Sequence, residues 1–213
     1  MNQYINRSKI IIDEVVNELY DFSKLGGLVV SNALTDMAVV NLSNVAFSYM
    51  ELFKESERNI GEVEQEIKTL YFSDVSVLGL SMKLPVEIIE FNYEYNKIYR
   101  YISNSANFSN KRFNSFGFHY FPEKSIGITA HRDKTEYQDL ISIFVLEGDA
   151  GFYLCKDRKN GKPVDSVKLN TVPGDLILLR APRNDSENCY RPYHYVEPMK
   201  DYRLTYNIRR LIE

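Results

Sequence analysis

The chain has 213 residues, 44% hydrophobic and 13% aromatic, enough for one domain with a sizeable core. Its 26 Lys and Arg against 29 Asp and Glu give a net charge of −3. Nothing in that balance calls for a nucleic-acid or anionic-membrane partner, either of which favours a basic excess.

The start, MNQYINRSKIIIDEVV, has a short apolar run followed at once by acids, not the long apolar stretch and small-residue cleavage site of a signal peptide. No later run approaches the ~20 apolar residues that span a bilayer. The expectation is a cytoplasmic protein with no membrane partner, in which Cys155 and Cys189 are buried free thiols.

In chain order, SKIIIDEVVNELYDF repeats Ile12, Val15, Val16 and Leu19 at helical steps, with Ser8 as a candidate N-cap. Gly26-Gly27 then breaks the chain. The stretch SNALTDMAVVNLSNVAFSYMELF predicts a second helix, starting near Ser31 or Asn32. GEVEQEIKTLYF and LPVEIIEFNYEYNKIYRYI predict two more, the last opening with Pro near its first turn and rich enough in Tyr and Phe to leave a partial strand open. Its aromatic stripe fits core packing better than a pocket wall.

Near residue 110 the period falls to two. RFNSFGFHYF, LISIFVLEG, AGFYLCKD, DSVKLN, DLILLRA, YHYVEP and YRLTYNIRRLI are short β-rich runs. Turn signals separate them, including Pro122-Glu123, Asn160-Gly161-Lys162-Pro163 and Pro173-Gly174-Asp175, and KDRKNGK reads as a solvated hairpin loop. Many short strands so punctuated predict an all-β sandwich or barrel after a helical region.

One of only three histidines lies in IGITAHRDKTEY (126–137), two residues ahead of an acid. On an extended segment His131 and Asp133 point the same way, so both can reach one metal ion. Alone, the pair reads equally as a polar turn. His194, in RPYHYVEP, completes two imidazoles and one carboxylate. That set occupies one face of an octahedron and leaves positions open for other ligands, as in non-haem Fe(II) oxygenases. A structural zinc site is closed and usually thiolate-rich.

Nine residues beyond His194, YRLTYNIRR puts Arg203, Thr205, Asn207 and Arg209 on one strand face. Either this is an outward polar face, or it lines an interior where a buried guanidinium requires an anion such as a small dicarboxylate.

Taken together, these residues resemble the Fe(II)/2-oxoglutarate-dependent oxygenases, with His131-x-Asp133, His194 and Arg203-x-Thr205 in that family's order, and PGDLILL (173–179) similar to its strand-opening Gly-Asp. The resemblance covers about residues 113–212. It implies a double-stranded β-helix, a jelly-roll or cupin-like barrel, over residues 111–213; with the mainly helical region that periodicity gives residues 1–110, packed on it as one structural domain, the expected fold is α+β. It further implies that His131, Asp133 and His194 are the catalytic metal ligands for Fe(II). The far carboxylate of 2-oxoglutarate would lie on Arg203 and Thr205, O₂ would take the last open position, and succinate and CO₂ would be co-products. Tyr120, in YFP, is similar to a tyrosine that often touches 2-oxoglutarate. Asp133 stands where halogenating members carry a small residue, which favours hydroxylation or a related oxidation. His119 and Arg209 are candidate substrate-side residues.

Within that family the short, mildly acidic chain favours a small-molecule substrate, such as an amino acid or natural-product intermediate. The alternatives are an AlkB-like nucleic-acid demethylase, a protein-residue hydroxylase and a non-catalytic jelly-roll binding module. The demethylases are similar in H-x-D-K-x-E (131–136) and in two arginines six apart. They read R-x-N-x-T-x-R where this chain has R-x-T-x-N-x-R, and carry Asn where Phe118 stands. Substrate contacts are expected from residues 1–110 and from loops 134–139 and 181–190.

Overall fold

The computed structural model describes residues 3–21, 24–72, 84–108, 112–148, 150–182 and 191–212. Three of the predicted helices form. Helix α1 (Ile12–Tyr20) buries Val15 and Leu19 and carries Asp13 and Glu14 in its first turn, where the helix dipole favours negative charge. Helix α2 (Asp36–Ser48) starts later than expected, because Thr35 caps it by accepting from the Ala38 N–H at 3.2 Å. Asn32 instead sits in a turn at φ 53°. Helix α3 (Val86–Ser105) follows Pro85 and is helical throughout, so no strand interrupts its aromatic stripe.

The fourth predicted helix, over 61–72, is a correction. That stretch holds strand β4 (Val63–Glu64) and strand β5 (Lys68–Tyr71). Strands β1 (Gly27–Val30), β2 (Lys54–Glu55) and β3 (Asn59–Ile60) also lie before residue 110, so the N-terminal half is mixed rather than mainly helical.

The predicted β-rich half contains β6 (Ser115–Phe121), β7 (Ile128–His131), β8 (Tyr137–Glu147), β9 (Phe152–Lys159), β10 (Lys162–Leu169), β11 (Leu176–Arg180), β12 (Tyr193–Val196) and β13 (Arg203–Leu211). Two main sheets result, in the orders β1-β11-β8-β13-β6-β5-β2 and β10-β9-β12-β7, with all described pairs antiparallel. From β6 onward the chain alternates between the sheets, except for the β9–β10 hairpin. Asn160 (φ 50°) and Gly161 (φ 76°) form that hairpin's two-residue turn, the left-handed pair its twist demands. The predicted loop is thus only its tip, since Lys156–Lys159 belong to β9.

Two cores flank the larger sheet. On its outer face the helices bury Phe91, Tyr95 and Tyr99 of α3 against the sheet, with Phe91 edge-on to Phe144 and Tyr206 at ring-centroid distances of 5.0 and 5.5 Å. Between the sheets lie Phe121, Ile141, Ile143, Val145, Phe152 and Leu154. Strands β8 and β11 of the larger sheet therefore serve two apolar environments, one per face. At Gly117, a side chain would sit 2.2 Å from the Leu70 carbonyl oxygen, so only glycine lets β5 lie against β6. Cys155 is a buried free thiol; Cys189 lies outside the described residues.

Candidate active site

The antiparallel pairing of β7 with β12 sets His131 directly opposite His194. Their rings lie 4.3 Å apart by centroid. Asp133 follows in the loop after β7, with its Oδ2 3.5 Å from His194 Nε2. One ligand atom from each of the three lies within 4.8 Å of the other two, and among the described residues this is the only His/Cys/Asp/Glu group so arranged. The sequence separation of 63 residues between the histidines is closed by a single rung of a β-ladder.

The ring orientations suit a metal. His131 Nδ1 donates to the Thr129 carbonyl at 2.9 Å, and His194 Nδ1 to the Pro192 carbonyl at 3.2 Å. Each bond fixes the tautomer and leaves Nε2 with its lone pair for an ion. Burial, then the neighbouring His194, pushes the His131 imidazole down to about 4, so it is neutral as a ligand must be. For Asp133 burial acts upward, but His194, Arg209 and His131 outweigh it and hold the carboxyl below its ordinary range, hence ionised. Arg191 donates to the Asp133 backbone carbonyl and steadies the loop. Two imidazoles and one carboxylate, open on one side, fit a divalent transition metal with exchangeable positions.

The triad opens on a cavity of about 270 Å³ between the two sheets. The polar stripe of β13 faces into it: Arg203, Thr205, Asn207 and Arg209 all line the cavity and are almost fully buried, while Leu204, Tyr206 and Ile208 enter the helix-side core. The inward reading of that stripe holds. Arg203 Nη1 donates to the Ala150 carbonyl at 2.7 Å and also reaches Thr171 Oγ1 at 3.4 Å. Thr205 Oγ1 accepts from Asn207 Nδ2 at 2.9 Å, which leaves its own proton to donate elsewhere.

Strand register builds the rest of the wall. Thr205 pairs with His119, which pairs with Thr69, and Asn207 pairs with Gly117, which pairs with Tyr71. His119 therefore lines the cavity. Burial, then Arg209, holds its imidazole well below the ordinary range.

Tyr120 is a correction. It lies on the opposite face of β6, stacked 5.9 Å from Tyr202 and edge-on to Phe53, and it is absent from the cavity wall. A side chain next to His119 in a strand must point the other way.

Three further lining residues, which no motif singled out, complete this part of the wall. Tyr71 touches His119 Nε2 through its hydroxyl and accepts from Arg209 Nη1 at 2.7 Å. Tyr137 accepts from the same Nη1 at 3.2 Å, and Thr69 completes the β5 contribution. Lys134 and Tyr137 come from the expected loop; most of the loop 181–190 lies outside the described residues.

No protein-family model matches the chain, and no curated protein matches it by sequence. Solved structures do. A Trichoplax adhaerens prolyl hydroxylase, in complex with a hypoxia-inducible-factor oxygen degradation domain peptide fragment, has a TM-score of 0.66 at 14% identity, over 96% of this chain and 90% of that one. An oxidoreductase of the 2OG-Fe(II) oxygenase family from Burkholderia pseudomallei has a TM-score of 0.56 at 10% identity, over 93% and 89%. A rice dioxygenase for auxin oxidation has a TM-score of 0.58 at 12% identity, over 94% and 78%. At these identities the likeness is one of fold. The fold is that of 2OG-Fe(II) oxygenases, and it carries a His-Asp-His group that matches their facial triad.

Proposed function

We propose that this protein is an Fe(II)- and 2-oxoglutarate-dependent oxygenase that hydroxylates or otherwise oxidises a small molecule. The carrying observation is the convergence of His131, Asp133 and His194 on one point of a cavity whose far wall bears Arg203. The strand order, with β6 to β13 passing alternately between two antiparallel sheets, fits a double-stranded β-helix over residues 111–213. The helices packed on its outer face, with β1, β2 and β5 extending its larger sheet, support one structural domain.

When bound, Fe(II) and 2-oxoglutarate supply oxidative decarboxylation to succinate and CO₂, with O₂ as the oxidant. The chain's residues do the rest. His131 and His194 present their Nε2 atoms because their Nδ1–H groups donate to backbone carbonyls. Asp133 stays ionised and contributes one negative charge. Arg203 offers its guanidinium to the distal carboxylate of the co-substrate, and Thr205 its hydroxyl proton. Ile143, Phe152 and Val196 keep that wall apolar and limit water around the reacting centre.

The peptide bound to the Trichoplax enzyme leaves a protein substrate as a second reading. The size of the cavity, about 270 Å³ for co-substrate and substrate together, favours a small molecule. The chain's net charge of −3 carries no basic excess, which weighs against nucleic acid.

Anaerobic reconstitution with Fe(II) and 2-oxoglutarate tests the assignment. The weak visible charge-transfer band of the chelate is expected in the wild type and absent in His131→Ala and Asp133→Ala. A band of ordinary strength in either variant removes that residue from the metal site.

A further inference from the structure

We infer that the substrate carries a carboxylate, and that Arg209, set between Tyr71 and Tyr137, receives it. This rests on the oxygenase reading and names the class of molecule that the site oxidises.

The first observation is charge. Among the described residues the cavity wall holds one carboxylate, Asp133, against two buried guanidinium groups, Arg203 and Arg209, while Arg132 and Lys134 also line it but are exposed to solvent. A divalent ion and a dianionic co-substrate cancel each other, so they leave this positive excess in place. A neutral substrate would leave it uncompensated, whereas an anion is drawn in.

The second observation is Arg209 itself. It is 6% exposed, near the end of β13, and it faces the cavity. Its Nη1 donates to the hydroxyls of Tyr71 at 2.7 Å and Tyr137 at 3.2 Å, and its guanidinium carbon sits 4.6 Å from the Tyr137 ring centroid. Its Nε has no hydrogen-bond partner, and among the described residues no carboxylate lies within ion-pair distance of it. Asp133, whose charge Arg209 feels, lies beyond ion-pair distance and belongs to the metal group, so this deeply buried guanidinium has no carboxylate paired directly with it, which is costly. Two phenols fix its plane but bring no charge: burial pushes the Tyr71 hydroxyl up to about 12, so it stays protonated. The buried His119 beside it is neutral too. The cluster thus presents a pre-oriented planar cation, the partner that a planar carboxylate fits best.

The third observation is size. A cavity of about 270 Å³ lies at the low end for small-ligand sites and must also take the co-substrate. A compact acid, such as a free amino acid, fits what remains. A neutral ring such as that of a peptidyl proline would leave Arg209 unpaired.

The test uses the full chain loaded anaerobically with Fe(II) and 2-oxoglutarate, whose visible band reports the co-substrate by itself. Free amino acids and their carboxamides are then titrated in matched pairs, read by the shift of that band and by calorimetry. At least one acid is expected to bind tenfold or more tightly than its amide. Arg209→Gln is expected to keep the band and lose the preference. Tyr137→Phe, a milder change that also controls for folding, is expected to weaken the acid severalfold. Equal binding of acid and amide overturns the inference, as does the absence of any acid that binds at millimolar concentration. Loss of the band in Arg209→Gln, with the Tyr137→Phe band intact, assigns the guanidinium to the co-substrate and overturns it equally. Absence of the band in the wild type strikes the oxygenase reading instead.

Discussion

Two arginines on the same face of β13 are held differently, Arg203 by a backbone carbonyl and Arg209 by two tyrosine hydroxyls. Arg203 is braced by the Ala150 carbonyl, beside Thr205 with a proton to give. Arg203→Ala should raise the KM for 2-oxoglutarate by tenfold to a hundredfold, on the order of 1.5–3 kcal/mol for hydrogen bonds to a charged group. Initial rates against 2-oxoglutarate check this, and an unchanged KM removes Arg203 from the role. At this scale the sequence was most legible where chemistry restricts residue type. His131, Asp133, His194, Arg203 and Thr205 all face the cavity or the triad that opens on it, since few residue types ligate metal or pair bidentately with a carboxylate. Tyr120 was misassigned because a tyrosine's role depends on which strand face it occupies. Tyr71 and Tyr137 carried no signal for the same reason: without the fold, nothing marks these two among sixteen tyrosines.

The elements were read well except where apolar residues of a strand happened to fall at helical steps. Helix α1 has a single apolar stripe and forms as expected. In 61–72, Val63, Ile67 and Leu70 fall at three- and four-residue steps and imitate a helix. In the fold, Ile67, Thr69 and Tyr71 face the cavity while Leu70 and Phe72 enter the helix-side core. Apolar residues on both faces hide the period of two. Helix α3 also fastens the N-terminus. Glu94, 7% exposed, accepts from the backbone N–H groups of Gln3, Tyr4 and Ile5 at 3.1 to 3.3 Å. Glu94→Ala leaves these donors without their acceptor and should destabilise the fold by about 2–4 kcal/mol. A shift of the urea midpoint at constant m-value would register it; an unmoved midpoint would show that water replaces the carboxylate.

For the whole molecule, the site and the stability are linked through protons. The His131 imidazole is held at about 4 when folded, against 6.5 ordinarily. Above pH 6.5 the ring is neutral in both states and costs nothing. Between pH 6.5 and 4 the unfolded chain takes up a proton that the folded one refuses, so the metal-free protein should lose on the order of 2–3 kcal/mol across that window. His119, also pushed down by burial, acts in the same direction. Urea midpoints at pH 7.5 and 4.5 measure the loss, and a flat profile would deny a buried neutral His131. An ion that binds only the folded state adds about 2.7 kcal/mol at a hundred times its Kd. Anaerobic Fe(II) should therefore raise the melting temperature of the wild type and leave Asp133→Ala unmoved.

The facing histidines have a mechanical corollary. Strand β7 is four residues long and closes its sheet: among the described residues β12 is its one lateral ladder, and its outer flank carries the isolated Gln65–Ile128 bridge and a Glu64 N–H bond to Thr129 Oγ1 at 3.0 Å. An ion shared by His131 and His194 rivets this margin to the strand inside it. Amide exchange at Thr129 and Ala130 should slow when iron is added, so the outermost strand becomes a gauge of metal occupancy that can be read without any turnover.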